Sequence, residues 1–528
     1  MQERPLVLTH LLERAEQLAP SKQIVTAVGG KTRRRTYSEW ATRCRRLAGA
    51  LDALGLSDDA RVASFAWNTD NHLELYFGVP CSGRVLHTLN VRLFADQITY
   101  IVEHAEDEAI FCDRSVAPVL AELLPSLRSV RHVVLMDDGA ESTIDDPRVV
   151  DYEELLGSSQ PVDLTVDDEG RAAFMCYTSG TTGHPKGVVY SHRSSVLHTF
   201  GVMVPDAFAV SERDVVLPVV PMFHALSWGL AHAGVASGAS LVLPGSDLSP
   251  RALAGLIEEE GVTLAAGVPT VWIAVLDELI ERDTSALRDI VCGGSAVPKA
   301  LSEDYRQKLG LPITQAWGMT EMHPVGTVNR VASELEDLDG AELADLRAAQ
   351  GRPLLGVDLR ISDLESGEVV APDGVSRGEL QCRGPWVARD YYAETRSGDS
   401  FTSDGWLRTG DIATMDANGY VRIVDRTKDL VKSGGEWISS VDLENELMAH
   451  PALLEAAVVA VPDPKWQERP LACVVARADT DVSANELIEF LSERVPKWWL
   501  PDRVVFLEEI PRTATGKFSK KELRERFS

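Results

Sequence analysis

Through the first three hundred residues, short apolar runs alternate with helix-patterned stretches, and that alternation narrows the folds open to the chain. The runs are "RVASFAW" (61–67), "AIFCD" (109–113), "HVVLMD" (132–137), "DVVLPVV" (214–220), "ASLVLPG" (239–245), "VTLAAGV" (262–268) and "DIVCGG" (289–294). Between two of them, Ser249 and Pro250 supply an N-cap and a first-turn proline, and Gly261 ends the helix. Strand, helix, strand with short links predicts α/β layers with mainly parallel pairing.

The texture changes near Val357. "VDLRISD", "GELQCRG" and "GYVRIVD" alternate in hydropathy and are separated by Gly, Asp and Asn turns, which predicts a small β subdomain. A polar, cationic segment, "DRTKDLVKSGGEW" (425–437), follows. Beyond it "EAAVVAV", "LACVVA" and "RVVFLEE" flank a helix with a capping box at Ser483 and Glu486. At 528 residues the chain exceeds one core. The expected division is therefore a large multi-layer domain over 1–426 and a small mobile α+β domain over 427–528.

Charge limits the partners. Lys and Arg number 52 and Asp and Glu 80, a net charge of −28, which argues against nonspecific binding to nucleic acid or anionic membrane. An anionic ligand must then be held by local cations and backbone N–H groups. The seven cysteines are scattered with no C-x-x-C pair, and most sit beside apolar runs, as buried free thiols do. The N-terminus carries acids and no signal-type apolar run, so a cytoplasmic protein is expected. The most apolar region, 215–244, is interrupted by prolines, glycines, His224 and His232 and reads as core rather than as a membrane span.

Six stretches could carry chemistry, and each also has a plainer reading. "YTSGTTGHPKG" gathers Gly180, Gly183 and Gly187, the hydroxyls of Thr178, Ser179, Thr181 and Thr182, and Lys186. These suit a polyphosphate, although the Gly-Lys-[Ser/Thr] ending of a P-loop is missing; a flexible surface loop is the alternative. "QAWGMTE" offers Trp317 as a stacking surface and Glu321 as an oxygen ligand for Mg²⁺, or else a core indole and a solvated acid. "GGSAVP" directly follows a strand, where α/β sheets place ligands. Asp411 in "GWLRTGD" could accept two ribose hydroxyls or close an Asx-turn. Lys517 in "PRTATGK" is catalytic or merely solvated, and His224 and Trp228 in "PMFHALSWG" are site or core residues.

Taken together and in this order, "YTSGTTGHPKG", "QAWGMTE", "GWLRTGD", "DRTKDLVKSGGEWIS" and "PRTATGK" resemble the core motifs of the AMP-forming acyl-CoA synthetases, within the adenylate-forming superfamily. The resemblance spans essentially the whole chain. "GRVLHTLNVRL", "VPMFHALSWG", "GGEWISSVDLENEL" and "VPDPKWQERPLA" are most similar to the medium- and long-chain fatty acyl-CoA synthetases.

The resemblance implies that a carboxylate attacks the α-phosphate of Mg·ATP, and that the CoA thiol then displaces AMP from the acyl-adenylate. It assigns Thr178, Ser179, Gly180, Thr181, Thr182 and Lys186 to the β/γ-phosphates, Thr320 to the α-phosphate, and Glu321 with Thr178 to Mg²⁺. Gly294, Ser295, Ala296, Gln315, Ala316, Trp317 and Gly318 form the adenine slot, and Asp411 and Arg426 hold the ribose. Lys517 bridges the acyl carboxylate and the α-phosphate, with His224 near the carboxylate and Trp228 gating the acyl channel. Lys428 is the hinge, and Lys432, Gly434, Gly435, Glu436 and Trp437 meet CoA after the small domain has turned. A homodimer through the large domain is also implied.

Two positions depart from the family pattern. Trp317 replaces a common tyrosine, and His323 stands where a small hydroxyl residue is frequent, near the expected acyl pocket. The acid could instead be short, aryl or methylthio-substituted, the acceptor could be a carrier protein, or the protein could be an inactive nucleotide-binding regulator. Lys186, Glu321 and Lys517 weigh against the last of these.

Overall fold

Two large sheets stack with a helical layer between them and further helices outside each. The computed structural model describes residues 2–178, 185–394, 400–434, 436–478, 480–513 and 517–527. One sheet has nine strands, ordered in space 352–353, 325–328, 314–318, 289–293, 264–267, 215–218, 240–243, 23–28, 31–36. Its five central pairings are parallel and its edges antiparallel. The other has seven strands, ordered 149–151, 132–136, 109–113, 61–65, 85–88, 172–177, 187–191, and only the last pairing is antiparallel. The expected mainly parallel α/β layering is what the chain adopts.

Strand periodicity explains the stacking. Successive side chains leave opposite faces of a strand, so Val62 enters the central core while Ala63 and Phe65 enter an outer one. In the other sheet Leu264 and Ala266 face the centre and Ala265 faces the second outer core. The helix Asp70–Gly78 lies in the shared layer and all nine of its residues are buried. Ser249 accepts the Ala252 N–H at the start of Pro250–Glu259, as its sequence position predicts.

Residues 358–426 form a separate antiparallel sheet of four strands, Asp358–Ser362, Gly378–Arg383, Leu407–Met415 and Val421–Arg426. The next sheet starts at Val431–Ser433 and is carried mainly by Leu453–Asp463 and Gln467–Ala476, with the helices Ser440–Met448, Ala484–Ser492 and Lys520–Phe527. Ser483 and Glu486 form the expected capping box. All seven cysteines are free and buried, and among the described residues no helix is long and apolar enough to cross a membrane.

Candidate active site

Four adjacent strands of the nine-stranded sheet, 215–218, 264–267, 289–293 and 314–318, end at one place. Their carboxyl ends deliver Val220, Val268, Gly294 and the segment Ala316–Gly318 to a cavity of about 310 Å³. Thr178 and Lys186 reach it from the seven-stranded sheet, Thr409 and Arg426 from the four-stranded sheet, and Lys517 from the C-terminal segment. Residues separated by more than three hundred positions in sequence thus share one wall.

The paired strands Ala172–Tyr177 and Gly187–Ser191 bring Thr178 and Lys186 together. Thr178 donates its N–H to the Lys186 carbonyl at 2.9 Å, and Lys186 donates its own to the Thr178 hydroxyl at 3.2 Å. Ser179, Gly180, Thr181 and Thr182 lie outside the described residues, as does Gly435. The Lys186 Nζ stands 4.6 Å from the centre of the Tyr391 ring.

Glu321 sits in a short helical turn, Thr320–Met322, and is buried. Its carboxylate accepts the Tyr391 hydroxyl at 2.6 Å, while Tyr190 donates to the Thr320 carbonyl at 2.6 Å. Burial raises the Glu321 pKa, and the hydrogen bond from Tyr391 opposes that rise. A buried carboxylate in this position favours a nearby cation.

Asp411 is buried between two donors. One oxygen accepts the Trp317 indole N–H at 2.9 Å and the other the Arg426 Nε–H at 3.1 Å. The carboxylate therefore fixes the edge of the indole and one edge of the guanidinium together. Gly294 and Ala316–Gly318 line the cavity beside them, whereas Ser295 and Ala296 are exposed and do not. Gln315 does not line it either: its side chain turns inward and donates to the Arg347 carbonyl at 3.0 Å.

Lys517 reaches over Gly294, whose hypothetical Cβ would stand 3.8 Å from the lysine Cε. Burial, reinforced by Arg426, pushes its pKa down to about 8. His224 also lines the cavity, and burial with the nearby lysine cation lowers it to about 4, so it is neutral at pH 7.

Trp228 belongs to a turn of unusual hand. Ala225, Leu226, Ser227 and Trp228 all have φ between 44° and 54°, a left-handed course that costs about 1–2 kcal/mol per residue. Burial of Leu226 and the 2.8 Å bond from the Ser227 hydroxyl to the Val220 carbonyl hold it. The indole is thereby laid along Gly293 and Gly294, where added Cβ atoms would meet it at 3.3 and 3.7 Å.

His323 corrects an expectation. Its left-handed backbone (φ 70°) turns the chain, and the wholly buried ring packs 4.2 Å from Tyr190 and 4.8 Å from His198, away from the cavity that its neighbours Glu321 and Pro324 line. Lys432, Gly434, Glu436 and Trp437 are exposed on or beside two short strands and do not line the cavity. The Lys432 Nζ lies 5.3 Å from the Trp437 ring, and Gly434 donates to the Trp466 carbonyl at 2.8 Å. Lys428 is exposed, directly between the last two sheets.

Sequence reasoning missed Tyr391 and Thr409. Thr409 lies inside a motif already singled out, but Tyr391 follows an ordinary loop and no periodicity or spacing marks it.

Residues 12–392 match the family model described as AMP-binding enzyme, and residues 442–517 match its C-terminal domain. A long-chain-fatty-acid–CoA ligase from Thermus thermophilus is 47% identical, covering all of this chain and 96% of that one. A 3-methylmercaptopropionyl-CoA ligase from Ruegeria lacuscaerulensis is 43% identical, covering all of this chain and 98% of that one. Among solved structures, ATP-bound MatB from Rhodopseudomonas palustris superposes with a TM-score of 0.84 at 26% identity, over 99% of each chain. The chain belongs to the AMP-binding enzyme family and is similar over its full length to that family's acid–CoA ligases.

Proposed function

We propose that the protein activates a medium- or long-chain fatty acid with ATP and passes the acyl group to CoA. In the first step a carboxylate oxygen bonds to the α-phosphorus while the bond to pyrophosphate breaks. In the second, the CoA sulfur bonds to the acyl carbon, AMP leaves and the thiol proton is released. The observation that carries the reading is the convergence of Lys517, Thr320, Glu321 and Arg426, itself held by Asp411, on one cavity. A carboxylate and a triphosphate repel each other, and a half-buried ammonium between them offsets that repulsion where it is greatest.

In this reading Thr178, Lys186 and the loop Ser179–Thr182 hold the β/γ-phosphates, and Thr320 the α-phosphate. Trp317 and Gly294 flank the adenine, Asp411 and Arg426 take the ribose, and His224 stands by the acid. Mg²⁺ fits the donors present: a buried carboxylate at Glu321 and the hydroxyl at Thr178, both hard oxygen ligands lining the same cavity. When bound it neutralises charge on the phosphates. The segment after Arg426 turns about Lys428, bringing Lys432, Gly434, Gly435, Glu436 and Trp437 to the thiol. Cytoplasmic location and a homodimer joined through the large domain belong to the same reading, tested by fractionation and sedimentation velocity.

The deciding experiment is ATP, Mg²⁺ and CoA with acids from C2 to C18, aryl acids and methylthio-alkanoates, scored by kcat/KM. A maximum at C8–C16 supports the reading. A maximum at a methylthio-acid would move the substrate class, and acylation of an added holo-carrier protein without acyl-CoA would overturn the choice of acceptor.

A further inference from the structure

Lys517 lies in the last loop before the helix Lys520–Phe527, so whatever holds the start of that helix also aims the lysine. The Lys520 Nζ lies 2.7 Å from the Glu444 carboxylate and 2.6 Å from the Ser440 hydroxyl. Ser440 in turn donates its backbone N–H and its hydroxyl to one oxygen of Asp425, at 2.6 and 2.8 Å. Asp425 is 1% exposed. A carboxylate so buried is strongly disfavoured unless it is hydrogen-bonded and a cation stands near; Ser440 gives the first and Lys520 the second.

The cluster crosses the boundary between the last two sheets. Asp425 is the penultimate residue of the strand Val421–Arg426 of the four-stranded sheet, while Ser440, Glu444 and Lys520 belong to the body that follows Lys428. A second strut runs beside it, from the Ser439 hydroxyl to the Val424 carbonyl at 2.7 Å.

We propose that Lys520 is a positioning residue: with Glu444 and Ser440 it closes an ionic latch on Asp425 that holds Lys517 in the cavity for adenylation and opens for the thioester step. The proposal rests on the two-step reading above. An ion cluster suits such a task, because what the charges gain from one another when buried is close to what water returns when they separate. The latch fixes a geometry without trapping the protein in it.

The test uses the full chain and the variants Lys520→Met, Asp425→Asn, the double variant and Lys520→Arg. Acid-dependent ATP–pyrophosphate exchange reports adenylation, and turnover of synthetic acyl-AMP with CoA reports the second step. Each neutral single variant should lower exchange about 10- to 100-fold and leave the second step within about twofold, and the double should be no worse than the worse single, since linked sites are not additive. Lys520→Arg, which keeps the charge, should return most of the exchange. Tryptic cleavage at the exposed Lys428 should quicken in the neutral variants without any substrate.

Equal loss in both half-reactions, additive losses, or unchanged cleavage at Lys428 would overturn the latch. If Lys520→Met does not fold, Asp425→Asn and Lys520→Arg decide. If the wild type shows no exchange with any acid, the functional reading fails instead, and the cleavage comparison still judges the latch.

Discussion

The Tyr391 hydroxyl donates to the Glu321 carboxylate at 2.6 Å, while the face of the same ring stands 4.6 Å from the Lys186 ammonium. One aromatic side chain thus joins Lys186 to Glu321, the residues proposed to meet the phosphates and Mg²⁺. Its segment is held at both ends: Ala388 donates to the Glu321 carbonyl at 2.7 Å and Tyr392 to the Gly187 carbonyl at 2.8 Å.

Removing that hydroxyl should loosen Glu321 without emptying the cavity. Tyr391→Phe is expected to raise KM for Mg·ATP on the order of tenfold, the worth of one hydrogen bond to a charged group. KM for the acid should stay within about twofold, because the bond acts on the carboxylate alone. Initial rates over a grid of Mg²⁺ and ATP concentrations check this.

In the proposed reaction Lys517 acts as a cation, and its lowered pKa of about 8 sets where that cation is lost. The protonated form dominates below this value, so kcat/KM for adenylation should be level near pH 7 and fall as pH rises through about 8. Bound phosphates favour the charged form, so the falling limb of kcat should lie at higher pH. His224, neutral from about pH 4 upward, should add no limb near 6.5. Lys517→Ala should lose about 100-fold or more in exchange and lose the alkaline limb with it; a limb that persists would assign it elsewhere.

Asp411 holds Trp317 and Arg426 together, the residues proposed to meet the base and the sugar. Asp411→Ala should therefore weaken ATP binding and also erase the preference for ATP over 2′-deoxy-ATP. Competition between the two nucleotides measures it. Undiminished discrimination in the variant would take the ribose away from this carboxylate.

Gly293 is required by close approach: a Cβ there would lie 2.2 Å from the Ala316 carbonyl oxygen, between paired strands that cannot part. Gly293→Ala should cost about 1–3 kcal/mol of stability, seen as a lower Tm, and should reduce activity with every acid alike. Trp228→Gly acts differently. Glycine accepts the left-handed backbone freely, so fold and ATP binding should persist while the acid profile broadens toward longer and bulkier chains.

Much of this was legible in the residues because the relevant physics is local. Apolar runs of strand length between capped helices dictate α/β layers wherever they occur. Glycines, hydroxyls and a lysine in "YTSGTTGHPKG" fit an anion whatever surrounds them, and the order of the motifs was enough to indicate the family. What only the tertiary structure decided is which side chains face one another. Nothing near Tyr391 in the chain points to Glu321, seventy positions away, and nothing near Lys520 points to Asp425. His323 and Gln315 sit within or beside a site motif yet turn into the core, because backbone hand and inward hydrogen bonding set side-chain direction and neither is encoded by spacing. Residue type is a property of the sequence, whereas direction and distance come from packing two sheets, a β subdomain and a C-terminal body around one cavity.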